Sequence, residues 1–287
     1  MRHFLLIPHL KIHNANAMSS PYTIGFPAMT AWLGAVHALQ RKLKQQGCDL
    51  NLNKVAVSCH DFNLQTYKGR GDFVHSIVGT ANPLDKDGNR PAFIEEARCH
   101  LEVSLLIEIE SSSKRQRDQL LELVNGIVAS MKFTSGDVLS AKPCTILNFD
   151  DDEDQSQQLR PILNKLMLGH VLIERRDLVI QSMQDGKDAL DSVLDYLKVT
   201  HSSIQDEDGK VTWTSKRKAQ GWLVPIAVGF QGISELGHAK NQRDVNTLHR
   251  FAESVLTLGE FVMPYRIESI DQLLWQYHVD IENNLYL

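Results

Sequence analysis

From His100 to Glu110 the chain reads HLEVSLLIEIE: Leu101, Val103, Leu105, Ile107 and Ile109 alternate with His100, Glu102, Ser104, Glu108 and Glu110. A period of two puts the apolar set on one face of a strand and the polar set on the other. Such a strand fits an antiparallel sheet with one buried face and one wet face, covered only at its centre by Leu106.

The elements around this strand follow a recognisable order. HFLLIP, His3 to Pro8, reads as a short buried strand ended by proline. From Ala28 to Gln46 the apolar residues Trp32, Val36, Leu39 and Leu43 recur at helical spacing, with Gly47 as a stop. Val55 to Leu64 fits a strand, Lys114 to Lys132 a second amphipathic helix, and Pro143 to Phe149 another strand. Strand, helix, strand, strand, helix, strand predicts an α+β fold. Its core is an RRM/ferredoxin-like antiparallel sheet over residues 1–149, with both helices on one face. The excursion over about 67–97, with KGRGD and NPLDKDGNR, is long for a compact unit and reads as an inserted thumb hairpin.

Residues 150–287 form a less regular α+β half of the same globular unit. Helices are predicted over 157–168, 187–198 and 244–258, the last stopped by Gly259, with a polar turn at 205–210. Strands are predicted over 221–230, interrupted at Pro225, and over 260–267.

Composition narrows the function classes. The 287 residues are 43% hydrophobic and 23% charged, which suits a folded soluble chain. No run of ~20 apolar residues predicts a membrane span, and MRHFLLIPHLK is too short for a signal peptide. Cys48, Cys59, Cys99 and Cys144 form no CxxC pair, which predicts reduced thiols and a cytoplasmic location. The net charge of −5 does not advertise a nucleic-acid binder, although the acidic run Asp150–Asp154 reads as a solvated loop rather than a calcium site.

Catalytic motifs are missing: there is no GxSxG, P-loop, GxGxxG or HExxH. His9 and His13 are four apart, but Pro8 removes the helix that would pair them on a metal. His60 and His100 lie on predicted strands, as satisfied strand histidines or as groups facing RNA. No catalytic residue, metal or cofactor is expected.

NANAMSSPYTIGFPAMTAW, from Asn14 to Trp32, is rich in small hydrogen-bonding residues. A polar loop leading into a helix leaves amides free to hold phosphate. Gly25 permits a close turn and Pro27 suits a first helical turn. Asn14, Asn16, Ser19 and Ser20 offer donors and acceptors for phosphate, ribose or base edges, and Phe26 or Tyr22 a stacking surface. The same residues also suit a loop that satisfies only its own backbone.

IHNANAMSSPYTIGFPAMTAWLGAVHALQR resembles the N-terminal signature of the Csy-two family, the Cas-five-like subunit of type I-F CRISPR surveillance complexes. Further similarity runs through NPLDKDG, EEARCHLEVSLL, GWLVPIAVGF, NQRDVNTLHRFAESVLTLGEFVMPYRI and LLWQYH. The resemblance implies a non-catalytic protein that caps the 5′ handle of the guide RNA (crRNA). Its implied partners are the large, Cas-eight-like subunit, the terminal Cas-seven-like backbone subunit, and target DNA through the assembled complex.

It raises Asn14, Asn16, Ser19, Ser20, Gly25 and Phe26 as RNA contacts, with Arg98 and His100 at the start of the alternating strand. Lys240, Asn241 and Arg243 form a second cluster before the predicted helix, and Arg250 adds a phosphate contact or an ion pair. Lys68 and Arg70, and Pro83 and Leu84 near the thumb tip, are weaker candidates. Trp32 and Trp222 read as core; Trp275 reads as core or interface. The competing reading is a metal-independent endoribonuclease of the ferredoxin-like processing class, with His60 or His100 as acid–base.

Overall fold

The structure, a computed structural model, describes residues 1–79, 84–89, 96–111, 117–150, 155–242 and 244–287. The chain runs β1 (Arg2–Asn16), β2 (Met18–Ser20), β3 (Thr23–Ile24), α1 (Met29–Gln45), β4 (Leu50–Leu64), β5 (Thr66–Tyr67), β6 (Ser76–Ile77) and β7 (Arg98–Ser111). There follow α2 (Arg117–Ala129), β8 (Lys132–Phe133), β9 (Gly136–Ser140), β10 (Thr145–Phe149), α3 (Gln155–Leu166), β11 (His170–Glu174), α4 (Arg176–Gln184) and α5 (Ala189–Leu197). The rest is strand and short 3-10 turns: β12 (Thr200–Gln205), β13 (Val211–Lys216), β14 (Trp222–Gly232), β15 (Ala252–Val262), β16 (Trp275–Gln276), β17 (Val279–Asp280) and β18 (Leu285–Tyr286).

The protein is mixed α/β around one large antiparallel sheet. Its path is β17-β18-β14-β15-β11-β4-β7-β1-β9-β8, with β10 also on β1 and β16 on β4. The alternating strand, β7, lies between β1 and β4, where its two ladders are longest. Its Leu101, Val103, Leu105 and Ile107 pack under Trp32, Val36 and Leu39 of α1 and Val124 and Val128 of α2. Fully burying one such side chain contributes about 1.5–3 kcal/mol, so this two-helix layer is the main core.

The opposite face is only half covered. Phe4, Leu6, Ala56 and Leu106 lie beneath Leu159, Ile162, Leu163 and Leu166 of α3, Ile267, and Ile270 and Leu273 of the 3-10 turn Ile270–Leu273. At the edge of this cover the Ser58 hydroxyl donates to the Leu166 carbonyl at 2.9 Å. Gly169 packs so closely here that a Cβ would meet His60 Nδ1 at 2.9 Å. Beyond that line the sheet face is polar.

Several elements differ from the sequence reading. Pro8 does not end β1. The strand absorbs it in register shifts between Ile7 and Leu10 and between Ile12 and Ala15, and runs on to Asn16. Such bulges re-aim the chain without ending the ladder. His9 and Asn14, inside the two shifts, have φ of 50° and 61°; asparagine tolerates that region well.

The helix expected over 244–258 is turns followed by β15. Residues Thr257 to Val262 are consecutively buried because both faces of this strand are covered. A strand buried on both sides reads as a continuous apolar run, which helical spacing matches equally well. The expected last strand, 260–267, is the end of β15 followed by a 3-10 turn at Pro264–Arg266.

The expected core residue Trp222 is 51% exposed, whereas Trp32 is fully buried. Trp275 is half-buried and its indole N–H donates to the Leu172 carbonyl at 3.0 Å. No helix among the described residues is long and apolar enough to cross a membrane.

Candidate nucleic-acid interface

The stretch after Asn14 is a hairpin rather than a free loop into a helix. Met18 pairs with Ile24 and Ser20 with Thr23. The Asn16 amide closes the base: Nδ2 donates to the Met18 carbonyl and Oδ1 accepts the Met18 N–H, each at 3.1 Å. Ser19 and Ser20 each lie 2.8 Å from the Thr23 hydroxyl, and Ser20 Oγ accepts the Tyr22 N–H at 3.1 Å. The Gly25 N–H donates to the Ala17 carbonyl at 2.8 Å. These short side chains therefore satisfy their own backbone first, as turn residues do.

Two expected contacts move inward. Ser20 is buried, and Phe26 is a core aromatic 5.1 Å from Phe261 and 5.8 Å from Trp32 between ring centroids. Phe26 has no free face for a base. At the α1 terminus the N-cap is Ala28, with no side-chain cap, Pro27 precedes the cap, and Met29 is buried. What the hairpin leaves on the surface is Asn14, Asn16, Met18, Ile24 and, at its tip, Tyr22 at 65% exposure.

These residues border the uncovered half of the sheet. Asn16 lies opposite Arg98 in the β1–β7 ladder. The Arg98 guanidinium pairs with Glu96. The Asn14 N–H donates to His100 Nδ1 at 3.1 Å, which fixes His100 with its hydrogen on Nε2 when neutral. The turn between β8 and β9 braces this corner, because its Thr134 carbonyl accepts the Asn16 N–H at 2.8 Å. The structure thus brings Asn14, Asn16, Arg98 and His100 together.

Deeper along the same face lie His9, His60, Glu102 and Ser104. His60 Nε2 is 2.7 Å from Ser104 Oγ, which also accepts the His9 N–H at 3.1 Å. Burial, then the proximity of His9, pushes His60 down to about 4. His9 Nδ1 is 2.6 Å from Glu102, and this contact holds the Glu102 carboxyl below its ordinary range. The importance of His9 and His13 is hidden in the sequence by Pro8. The signal for them is the apolar pair Leu10 and Ile12, which continues the β1 alternation past the proline.

The second expected cluster lies on the segment 233–251, which joins the ends of β14 and β15. Lys240 is exposed there, on a loop braced by the Gln242 side chain, and the expected helix after it is absent. Arg250 donates to Asn284 near the C-terminus. Arg243 and Pro83 lie outside the described residues. At the base of the excursion β5 pairs with β6, and Phe73 between them is 97% exposed, as is Leu84 at 61%.

The family described as CRISPR-associated protein (Cas_Csy2) matches residues 5–287. A CRISPR-associated protein Csy2 of Pseudomonas aeruginosa (strain UCBPP-PA14) is 33% identical over 307 aligned positions, covering 98% of this chain and 93% of that protein. A match along almost the whole length, through both halves of the sheet, settles the kinship: the chain belongs to the Csy2 family of type I-F CRISPR-associated proteins.

Proposed function

We propose that this chain is a non-catalytic RNA-binding subunit of a type I-F surveillance complex that caps the 5′ handle of the guide RNA. In this reading it joins the large subunit to the terminal backbone subunit, meets target DNA through the assembled particle, and works in the cytoplasm. The observation that carries the reading is the uncovered, polar half of the central sheet, rimmed by Asn14, Asn16, Arg98 and His100 and flanked by the hairpin that presents Tyr22. An open sheet face with aromatic and hydrogen-bonding groups suits unpaired nucleotides, whose bases are free to stack.

The topology supports an RRM/ferredoxin-like core. Strands β10, β1, β7 and β4 lie side by side in that order, each antiparallel to the next, and α1 and α2 share one face. The β5–β6 pair, with Phe73 beyond it, supports the thumb reading of the excursion.

A non-catalytic role fits the histidines. With its pKa pushed down to about 4, His60 is a weak base at neutral pH, and His100 Nδ1 already accepts the Asn14 N–H. Incubating the purified chain, alone and with the large subunit, with handle RNA tests the reading. Stable binding of intact RNA is expected; cleavage abolished by a single histidine substitution would establish the ribonuclease reading instead.

A further inference from the structure

The polar half of the sheet carries the same small device twice. In the first copy His13 of β1 stacks on His100 of β7, with ring centroids 4.3 Å apart and an interplanar angle of 12°. In the second copy His9 of β1 stacks on His60 of β4 across the central strand, at 4.4 Å and 16°. The residue between those two on β7 is Ser104, small enough for both rings to lean over it and fully buried.

Each stack ties one imidazole to the sheet through a ring nitrogen. His100 Nδ1 accepts the Asn14 N–H. His60 Nε2 lies 2.7 Å from Ser104 Oγ, which also accepts the His9 N–H. Each stack also sets its second imidazole beside a carboxylate: Glu102 Oε1 is 2.6 Å from His9 Nδ1, and Asp137 is the cross-strand neighbour of His13.

We propose that these two imidazole stacks are a platform on which unpaired bases of single-stranded RNA stack, His13/His100 at the outer end and His9/His60 at the inner end. The inference rests on the RNA-binding reading above and names the part of the RNA that is recognised there. The chemistry favours bases over phosphates. A neutral imidazole presents an aromatic face and no charge. Between the two stacks Lys11, the cross-strand partner of Glu102, lies 3.4 Å from its carboxylate, so the two charges offset each other there, and Arg98 stands at the outer margin beside Asn16. The RNA therefore lies with bases toward the rings and backbone toward the rim.

The test uses the full-length chain with its large subunit and handle RNAs carrying 2-aminopurine at one position each. Stacking quenches this base. At one or two positions wild type is expected to quench strongly. His13→Ala, an exposed position, should abolish the quenching at its position and weaken binding about five- to tenfold, the low end of the loss for one stacked base. His13→Tyr should restore both, which a purely structural role for His13 does not predict. Tight binding with no position quenched, or with quenching and affinity unchanged in His13→Ala, overturns the platform and leaves the RNA-binding reading standing. No binding by wild type, with or without the large subunit, overturns both.

Discussion

The Ser104 hydroxyl and the His60 imidazole lie 2.7 Å apart at the edge of the α3 cover, where a buried hydrophobic sheet face turns into an open polar one. Their contact joins fold to candidate site: Ser104 is fully buried in the central strand, and His60 stands above it on the uncovered side.

His60 couples this site to folding stability. The unfolded chain takes up the proton near the ordinary histidine value of 6.5, the folded chain only near 4. Between those values the unfolded state binds more protons, so stability falls as pH drops through the window and is regained above it. Water reaching the open face screens the effect, leaving of order 1 kcal/mol. Urea titrations of wild type and His60→Ala between pH 4 and 7.5 should show the histidine-dependent part of the slope in wild type only.

Ser104→Ala leaves the His9 N–H facing a buried position with its acceptor gone. Loss of an acceptor to a buried donor costs about 1–3 kcal/mol. Ser104→Ala is therefore expected to lower the denaturation midpoint, whereas Ser19→Ala, half-buried in the hairpin, should change it less.

At the far end of the same sheet face Glu108, only 8% exposed, accepts from Arg2 Nε at 2.6 Å and lies 3.1 Å from Lys54 Nζ. Glu108→Ala leaves two cations partly desolvated without their carboxylate. Arg2 keeps Asp271 at 2.9 Å, so the expected cost is about 2–3 kcal/mol, below that of a fully buried pair. A larger midpoint shift for Glu108→Ala than for Asp271→Ala in parallel melts checks this ordering.

Gly229 sits where the C-terminal strand crosses β14. A Cβ there would run into the Tyr286 carbonyl and come within 2.7 Å of Leu287 Cα. Gly229→Ala should therefore detach β17 and β18 before the core unfolds, read as faster proteolytic trimming of the C-terminus with the main unfolding transition retained.

Much of the core was legible in the sequence because period two and period 3.6 differ wherever one face is buried. β7, α1 and α2 are such elements, and the alternation around Leu105 and the stripe from Trp32 to Leu43 both hold. Legibility failed where that asymmetry vanishes. β15 is covered on both sides, so its apolar run satisfied a helix as well as a strand. β1 carries two bulges, and Pro8 falls in the first, so the sequence pattern marks only half of the strand. The burial of Ser20 and Phe26 is hidden for the same reason: they look like surface residues only while 14–27 is an open loop. Arg98 and His100 are legible as sheet-face residues through the β7 alternation, and Asn14 and Asn16 through the polar stretch beside it, while His9 and His13 join them only because β1 continues past Pro8.

The central claim is that the open half of the sheet, with the hairpin beside it, holds single-stranded handle RNA without cutting it. Photocrosslinking of 4-thiouridine handle RNA to the complex of this chain with its large subunit tests it most directly. The account predicts intact RNA and crosslinked peptides spanning residues 13–22 and 98–100. Crosslinks confined to other surfaces of the chain, or RNA recovered in cleaved form, would contradict it.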